Sequence, residues 1–545
     1  MPRTQKSKPI RFVNAYPMSE SEKKHSRLIV RSHIGSWTWQ QIKERSDSEM
    51  GQQIDKQNIS VQRKEIENEE EYFASSLDDD EELLGREPPA TRSPFRPNDS
   101  HSTSIHNLGA GNVDPFRTYP SEVPSATVNK CISYSLSLLL PNMTPRDAQG
   151  NSLAASHWYS LSLQEPVLFP AFLFGPLLHK RVRYLSSGKP VNLLNNYEER
   201  EMRAMELELI QGVNKAITDP LRATSDAVIM SIMTLAHGSS DDPQWYAEHM
   251  SPFKAPLKSL QWLDTYAFFE MDPVHTAGLL RVVSLRGGLT KIKYPGLAPV
   301  LSFSGLIYAS KTLTRPMMPF MRMHNGFLAE QEDQDLETIE DRFHNLLGIS
   351  LPLDLCKVFQ RVQNYLHLLE LYIQGTLSQV DLCLIADKRN FTQHSLLSLP
   401  SASEFSEPYR MAYPWYETVR LGCLVMSIGV IFPLPARAAP LHPLARMLQE
   451  ELEIVLQQSA HHFSSTILLW GVVLGGIASC GINERKWYVS TLRDITKLMG
   501  FSSWHQVKMI LHQILWVGSA CDCAGRALWD DAIVFSDIWL AGVNG

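Results

Sequence analysis

Residues 219–238 read DPLRATSDAVIMSIMTLAHG, and the spacing of their apolar side chains decides the fold class. Leu221, Val228, Ile232 and Leu235 return at helical intervals and share one face of a 3.6-residue period. Asp219 can accept hydrogen bonds from the first free backbone N–H groups, Pro220 suits the first helical turn, and Gly238 can close the last. A helix over 219–238 is therefore expected. The same periodicity recurs at 273–286, 298–312, 353–376, 417–431, 443–458, 462–479, 484–499, 503–518 and 523–533, with short turns bearing Pro, Gly or Asn between many of them. The stretches around 298–310 and 423–432 hold β-branched side chains (Val300 and Ile307; Val425, Ile428, Val430 and Ile431), and on propensity alone they could be strands. Neither is followed by Asn-Gly or Asp-Gly between alternating runs, so the reading is all-α.

Outward from this helical region, composition divides the 545 residues into three parts. The large helical domain is assigned to 129–545. Residues 1–45 hold ten Lys and Arg against three Glu. There, Ser19-Glu-Ser-Glu22 has the form of a capping box opening a short helix. Lys23, Arg27 and Arg31 recur every four residues on one face of it, and Val30, Ile34 and Trp37 share another. Residues 46–128 carry seven prolines and few sustained apolar periods. A segment so poor in buriable surface does not offset its chain entropy, so a disordered linker is expected. Ten acidic residues fall within 65–82, interleaved with or flanked by Tyr72, Phe73, Leu77, Leu83 and Leu84. Acids that keep aromatic and leucine side chains solvated are the composition of an activation segment; a plain solvated linker is the other reading.

The net charge of −7 provides no global basic field for nucleic acid, so any such contact falls to a local segment. Lys6, Lys8 and Arg11, with Lys23, Arg27 and Arg31, are the candidates, either as a nuclear-import or solvated face or as a DNA contact. Seven unpaired-looking cysteines in a long chain suggest a reducing compartment rather than a disulfide framework. No apolar run follows the basic N-terminus, so no signal peptide is expected. The charge-free run 467–482, ILLWGVVLGGIASCGI, holds Gly471 and Gly475 at G-x-x-x-G spacing. It falls short of the roughly 20 residues a bilayer span needs, and a buried core helix is the better reading.

Catalytic patterns are missing: the sequence has no phosphate-cradling glycine loop, nucleophile elbow or H-E-x-x-H. His461 and His462 are adjacent and point about 100° apart on a helix, a poor metal pair. Cys521-Asp-Cys523 has no second pair and reads as two half-buried thiols. No catalytic residue, metal or cofactor is expected. What does stand out is His275-x-x-Gly278-Leu279-x-x-x-Val283-x-Leu285-Arg286-Gly287-Gly288-Leu289. It reads as a helix closed by two glycines, with Leu279, Val282, Val283, Leu285 and Leu289 buried and Arg286 complementing the negative helix end.

At these residues the chain resembles the fungal-specific transcription factor domain, the regulatory region usually found downstream of a zinc binuclear cluster. Residues 219–226, the glycine-rich run 467–482 with Glu484-Arg-Lys-Trp487, and the closing Trp504, Val507, Leu515-Trp516, Cys521 and Leu528-Trp529 resemble that family in the same order. Phe12-Val-Asn14, Pro17 and Arg31-Ser-His33 are similar to the opening of members without a zinc cluster. The resemblance implies a large all-helical regulatory domain in the nucleus. Its partners would be other regulators, the transcription machinery or a second copy of the chain, with no membrane involved. This chain departs from the pattern in having no cysteine before Cys131, so the six-thiolate grip on DNA is missing. The expectation is a pathway-specific transcriptional regulator, such as one governing a biosynthetic gene cluster. A ligand-sensing or scaffold protein without direct DNA binding is the alternative.

Overall fold

The computed structural model describes residue 119 and residues 123–144, 152–188, 196–240, 242–246, 250–323, 344, 347–376, 381–458 and 464–543. These all belong to one compact unit. Among them the architecture is all-α, interrupted by a single two-residue strand pair. The helix expected after Ser19, the acidic segment and the His461-His462 pair lie outside the described residues.

Helices α1 (Ser125–Tyr134), α2 (Leu153–Gln164), α3 (Leu168–Ser186), α4 (Asn196–Ala216) and α5 (Asp226–Leu235) form the first half. Helix α1 starts within the last residues assigned to the linker. Thr127 and Val128 are already buried, so the domain's core begins there. Strand β1 (His237–Gly238) pairs antiparallel with β2 (Glu270–Met271), and the four-residue helix α6 (Leu263–Tyr266) lies between them in sequence. Next come α7 (Pro273–Arg286), α8 (Leu297–Thr312), α9 (Leu353–Ile373), α10 (Asp381–Ser398), α11 (Glu407–Ala412), α12 (Tyr416–Met426) and α13 (Leu441–Gln458). The chain closes with α14 (Ser465–Ala478), α15 (Arg485–Leu498), α16 (Trp504–Ile514) and α17 (Gly518–Val543).

The expected helix over 219–238 is corrected at both ends. Asp219 does cap, but it caps a turn: its carboxylate accepts the Leu221 N–H at 2.9 Å and its carbonyl accepts Arg222. Leu221 is consequently 91% exposed and lines no buried face. The helix begins one turn-forming stretch later, where the Ser225 hydroxyl accepts the Val228 N–H. Two caps stand in tandem here, and the apolar period alone does not choose between them. Gly238 likewise does not end the helix. Its backbone pairs with Glu270, because the returning chain satisfies hydrogen-bonding groups that a terminator would leave to water.

Two hydrophobic cores result. One is built on α1–α5, α7 and the start of α8. The other gathers the later part of α8, α9, α10 and α12–α17. Helix α14 is the axis of the second core and packs against α12, α13, α15, α16 and α17. Every residue from Ile467 to Ala478 is buried, which is why this stretch reads as uniformly apolar. Its glycines admit the neighbours. A methyl group on Gly475 would lie 2.4 Å from the Tyr488 ring, and one on Gly476 would lie 2.4 Å from Leu528. Trp470 presses in turn against Gly422 of α12, where a Cβ would meet it at 2.3 Å. No helix among the described residues is long and apolar enough to cross a membrane.

Candidate functional site

Between the two cores lies a cavity of about 120 Å³ open to the centres of water-sized molecules. Its apolar wall comes from α3 and α5, through Phe172, Pro176, Met230 and Met233, and from Phe303 and Ile307 of α8. Val300, Ser304, Ile307 and Lys311 stand three or four residues apart along α8 and so line one face. That face carries the polar end of the cavity.

His237 leaves α5 at the start of β1. One ring nitrogen, Nδ1, lies 2.8 Å from the Met233 carbonyl, which can only accept, so Nδ1 carries the proton. The Ser304 hydroxyl then donates to Nε2 at 2.8 Å. Burial, with a smaller contribution from Lys311, pulls this imidazole below its ordinary range and keeps it neutral. The Lys311 ammonium donates to the Phe269 carbonyl at 2.8 Å and stands 5.4 Å from the centre of the Trp245 ring. Burial pushes its pKa down to about 8, against the opposing pull of Glu270, and it remains cationic at neutral pH.

Behind the cavity, His179 is enclosed by aromatic rings. Its ring centroid lies 5.0 Å from that of Trp262, 5.4 Å from Tyr266 and 6.4 Å from Phe269. The Tyr134 hydroxyl meets its Nδ1 at 2.9 Å. Burial, helped by Arg183, holds its pKa down to about 3. Nε2 finds no hydrogen-bond partner among the described residues.

The motif at 275–289 is structural, as its glycine ending suggests. Asp272 caps α7 by accepting the His275 N–H at 2.7 Å, and Pro273 occupies the first turn. Gly287 adopts φ 95°, and Gly288 N–H reaches back to the Val283 carbonyl at 2.9 Å. Gly278, Leu279, Val282, Val283 and Leu289 are buried. Leu285 is not: it is 66% exposed, because it falls on the solvent side of α7. His275 is fully buried, with Nδ1 2.8 Å from the Leu235 carbonyl.

Arg286 does more than complement its own helix end. It pairs at 3.0 Å with Asp226, which also accepts the backbone N–H groups of Lys293 and Tyr294 at 2.6 and 3.0 Å. Two stretches that carry the resemblance, 219–226 and 275–289, are thereby joined at one buried carboxylate. Nothing in the local spacing announces that contact.

Of the other candidates, Lys6, Lys8, Arg11, Lys23, Arg27, Arg31, Tyr72, Phe73, Leu77, Leu83 and Leu84 all lie outside the described residues. The two thiols of 521–523 are not alike. Cys521 is buried, and burial pushes its pKa up to about 12, whereas Cys523 is exposed. They sit two residues apart on α17 and so point to different sides. Among the described residues no three His, Cys, Asp or Glu side chains converge as metal ligands. Sequence reading did not single out Lys311, Ser304 or His237. Their one advance sign is the helical spacing of Ser304 and Lys311 within the run 298–312. No family model, curated protein or solved structure matches the chain.

Proposed function

We propose that the chain is a non-enzymatic, nuclear regulator of transcription that acts through protein partners. The observation that supports this reading is the ordered set of stretches resembling the fungal transcription factor domain, two of which meet at the Asp226–Arg286 ion pair. In this account the helical domain engages another regulator or a second copy of the chain. The acidic segment at 65–84 contacts the transcription machinery, and the basic face of Lys23, Arg27 and Arg31 serves nuclear import or reaches DNA. On this reading Tyr72, Phe73, Leu77, Leu83 and Leu84, set among acidic residues in the sequence, are what a partner's groove takes up. Fusing residues 46–128 to a heterologous DNA-binding domain should activate a reporter, and changing Tyr72, Phe73, Leu83 and Leu84 to Ala should abolish that activity. Unchanged reporter output would remove the activation role.

A second reading, that the domain senses a small molecule, is favoured by the cavity between the cores. Apolar walls with a few convergent polar groups are the usual form of a ligand pocket. The two readings are compatible, since a regulator's helical domain can carry its effector site.

A further inference from the structure

We infer that the cavity between the two cores binds an apolar molecule ending in a carboxylate, with Lys311 meeting that group and the walls of α3, α5 and α8 holding the hydrocarbon body. The inference rests on the ligand-sensing reading and gives its ligand a chemistry.

The argument begins with what the polar end can offer. None of the lining residues is Asp or Glu, so a cationic ligand finds no counter-charge there. His237 has both ring nitrogens engaged, by the Met233 carbonyl and the Ser304 hydroxyl. It therefore has no free ring nitrogen for a ligand. Ser304, in turn, uses its proton on His237. Lys311 differs: an ammonium has three donors, and the hydrogen bond to the Phe269 carbonyl uses one. The polar end thus offers N–H donors and the one positive charge in a lining that is otherwise mostly apolar, with Ser135, Thr234, Tyr266 and Tyr308 supplying its remaining hydroxyls. A half-buried ammonium beside apolar walls is most fully satisfied by an anionic oxygen on an apolar body. A neutral alcohol of the same length would fill the walls but bring no charge to the ammonium, whose carboxylate neighbour, Glu270, is exposed and outside the lining.

The position also suggests a readout. Lys311 lies on α8, which contributes Leu301 to the first core and Phe303 and Ile307 to the second. Its hydrogen bond to Phe269 and the β1–β2 pair bring the segment before α7 to the same spot. A ligand held by Lys311 therefore touches elements of both cores at once.

The test is calorimetric titration of the full-length purified chain with decanoate and, separately, with 1-decanol as its uncharged counterpart. Decanoate should bind at least about tenfold more tightly, the ratio that one charge-assisted contact provides. Lys311→Met should reduce decanoate affinity about tenfold while leaving decanol affinity unchanged, which also shows that the variant keeps its pocket. Val300→Trp, which fills the cavity, should abolish binding of both. Equal affinities for acid and alcohol, no decanoate binding at all, or decanoate binding indifferent to either substitution would overturn the proposal. None of these measurements involves transcription. A failure of the chromatin experiment described below would leave them intact, and the reverse holds equally.

Discussion

Gly471 and Gly475 stand one helical turn apart in α14, and the structure assigns them opposite tolerances. A Cβ at Gly471 would meet Leu452 and Thr418 side-chain carbons at 3.4 and 3.5 Å, which is ordinary contact. Ala there removes the entropic penalty of a mid-helix glycine, so Gly471→Ala should leave stability unchanged or raise it by up to about 1 kcal/mol. A Cβ at Gly475 would stand 2.4 Å from the ring and hydroxyl of Tyr488. That ring has nowhere to retreat, since it is fully buried and its hydroxyl donates to the Ala445 carbonyl at 2.6 Å. Overpacking of this kind costs about 1–3 kcal/mol, and a displaced tyrosine hydroxyl forfeits about 1 kcal/mol more. Set against a helix-propensity gain of about 1 kcal/mol, Gly475→Ala should lose roughly 1–3 kcal/mol net. Urea midpoints and thermal melting of the two variants beside the parent chain measure the difference. If Gly475→Ala melts with the parent, or if the two variants shift alike, the packing of α14 against α15 described above is wrong.

Three further outcomes are expected. His179 takes up a proton near 6.5 when unfolded but only near about 3 in its aromatic enclosure, so between these values the unfolded chain binds more protons. Stability should therefore fall as pH drops below 6.5, by up to about 1.4 kcal/mol per unit and about 2 kcal/mol by pH 5. His179→Gln should flatten that acid limb in pH-resolved melting; an unaltered slope would assign the sensitivity elsewhere, for instance to His237, which shifts the same way. Arg389, fully buried, donates to the Leu260 carbonyl, Gln261 and Asn390 and stands 5.2–5.5 Å from the centres of the Phe432 and Phe303 rings. Arg389→Met takes the donor from the Leu260 carbonyl and Asn390 Oδ1, while Gln261 Oε1 keeps the Asn390 amide, and should cost about 2–5 kcal/mol by urea denaturation; a loss under about 1 kcal/mol would refute the role given to this network. Asp226→Ala should destabilise by about 2–4 kcal/mol, because it strands the Lys293 and Tyr294 N–H groups together with Arg286; Arg286→Ala alone should cost less, and equal losses would contradict that division.

The all-α class was legible because helical periods and their punctuation are local properties. Residues 273–286 form α7 to the residue, where Asp272, Pro273 and Gly287 fix both ends by short-range chemistry. Residues 298–310 and 423–432 show the opposite balance. Their β-branched side chains (Val300 and Ile307; Val425, Ile428, Val430 and Ile431) favour strands locally, yet both are helical. Tyr416–Met426 and the π-turn at Ser427–Ile431 are buried on all sides, whereas α8 buries Leu301, Phe303, Leu306 and Ile307 and leaves Val300 and Ser304 half-buried along the cavity. The region 219–238 departs from its expected ends because two competent caps follow one another and because Gly238 finds a strand partner 32 residues on. The junction cavity was not legible at all. Its polar end assembles His237, Ser304 and Lys311 from two segments more than 60 residues apart, and each residue is unremarkable where it stands. The same is true of the ion pair between Asp226 and Arg286, which ties together two stretches that were read separately.

The central claim, that the chain regulates transcription, is tested most directly by chromatin immunoprecipitation of the full chain beside a form lacking residues 1–45, expressed in its native cell. The account predicts discrete enriched sites for the full chain. Loss of those sites in the shortened form would assign DNA contact or import to the basic face, and their retention would assign recruitment to partners. Absence of enrichment for the full chain would contradict the claim.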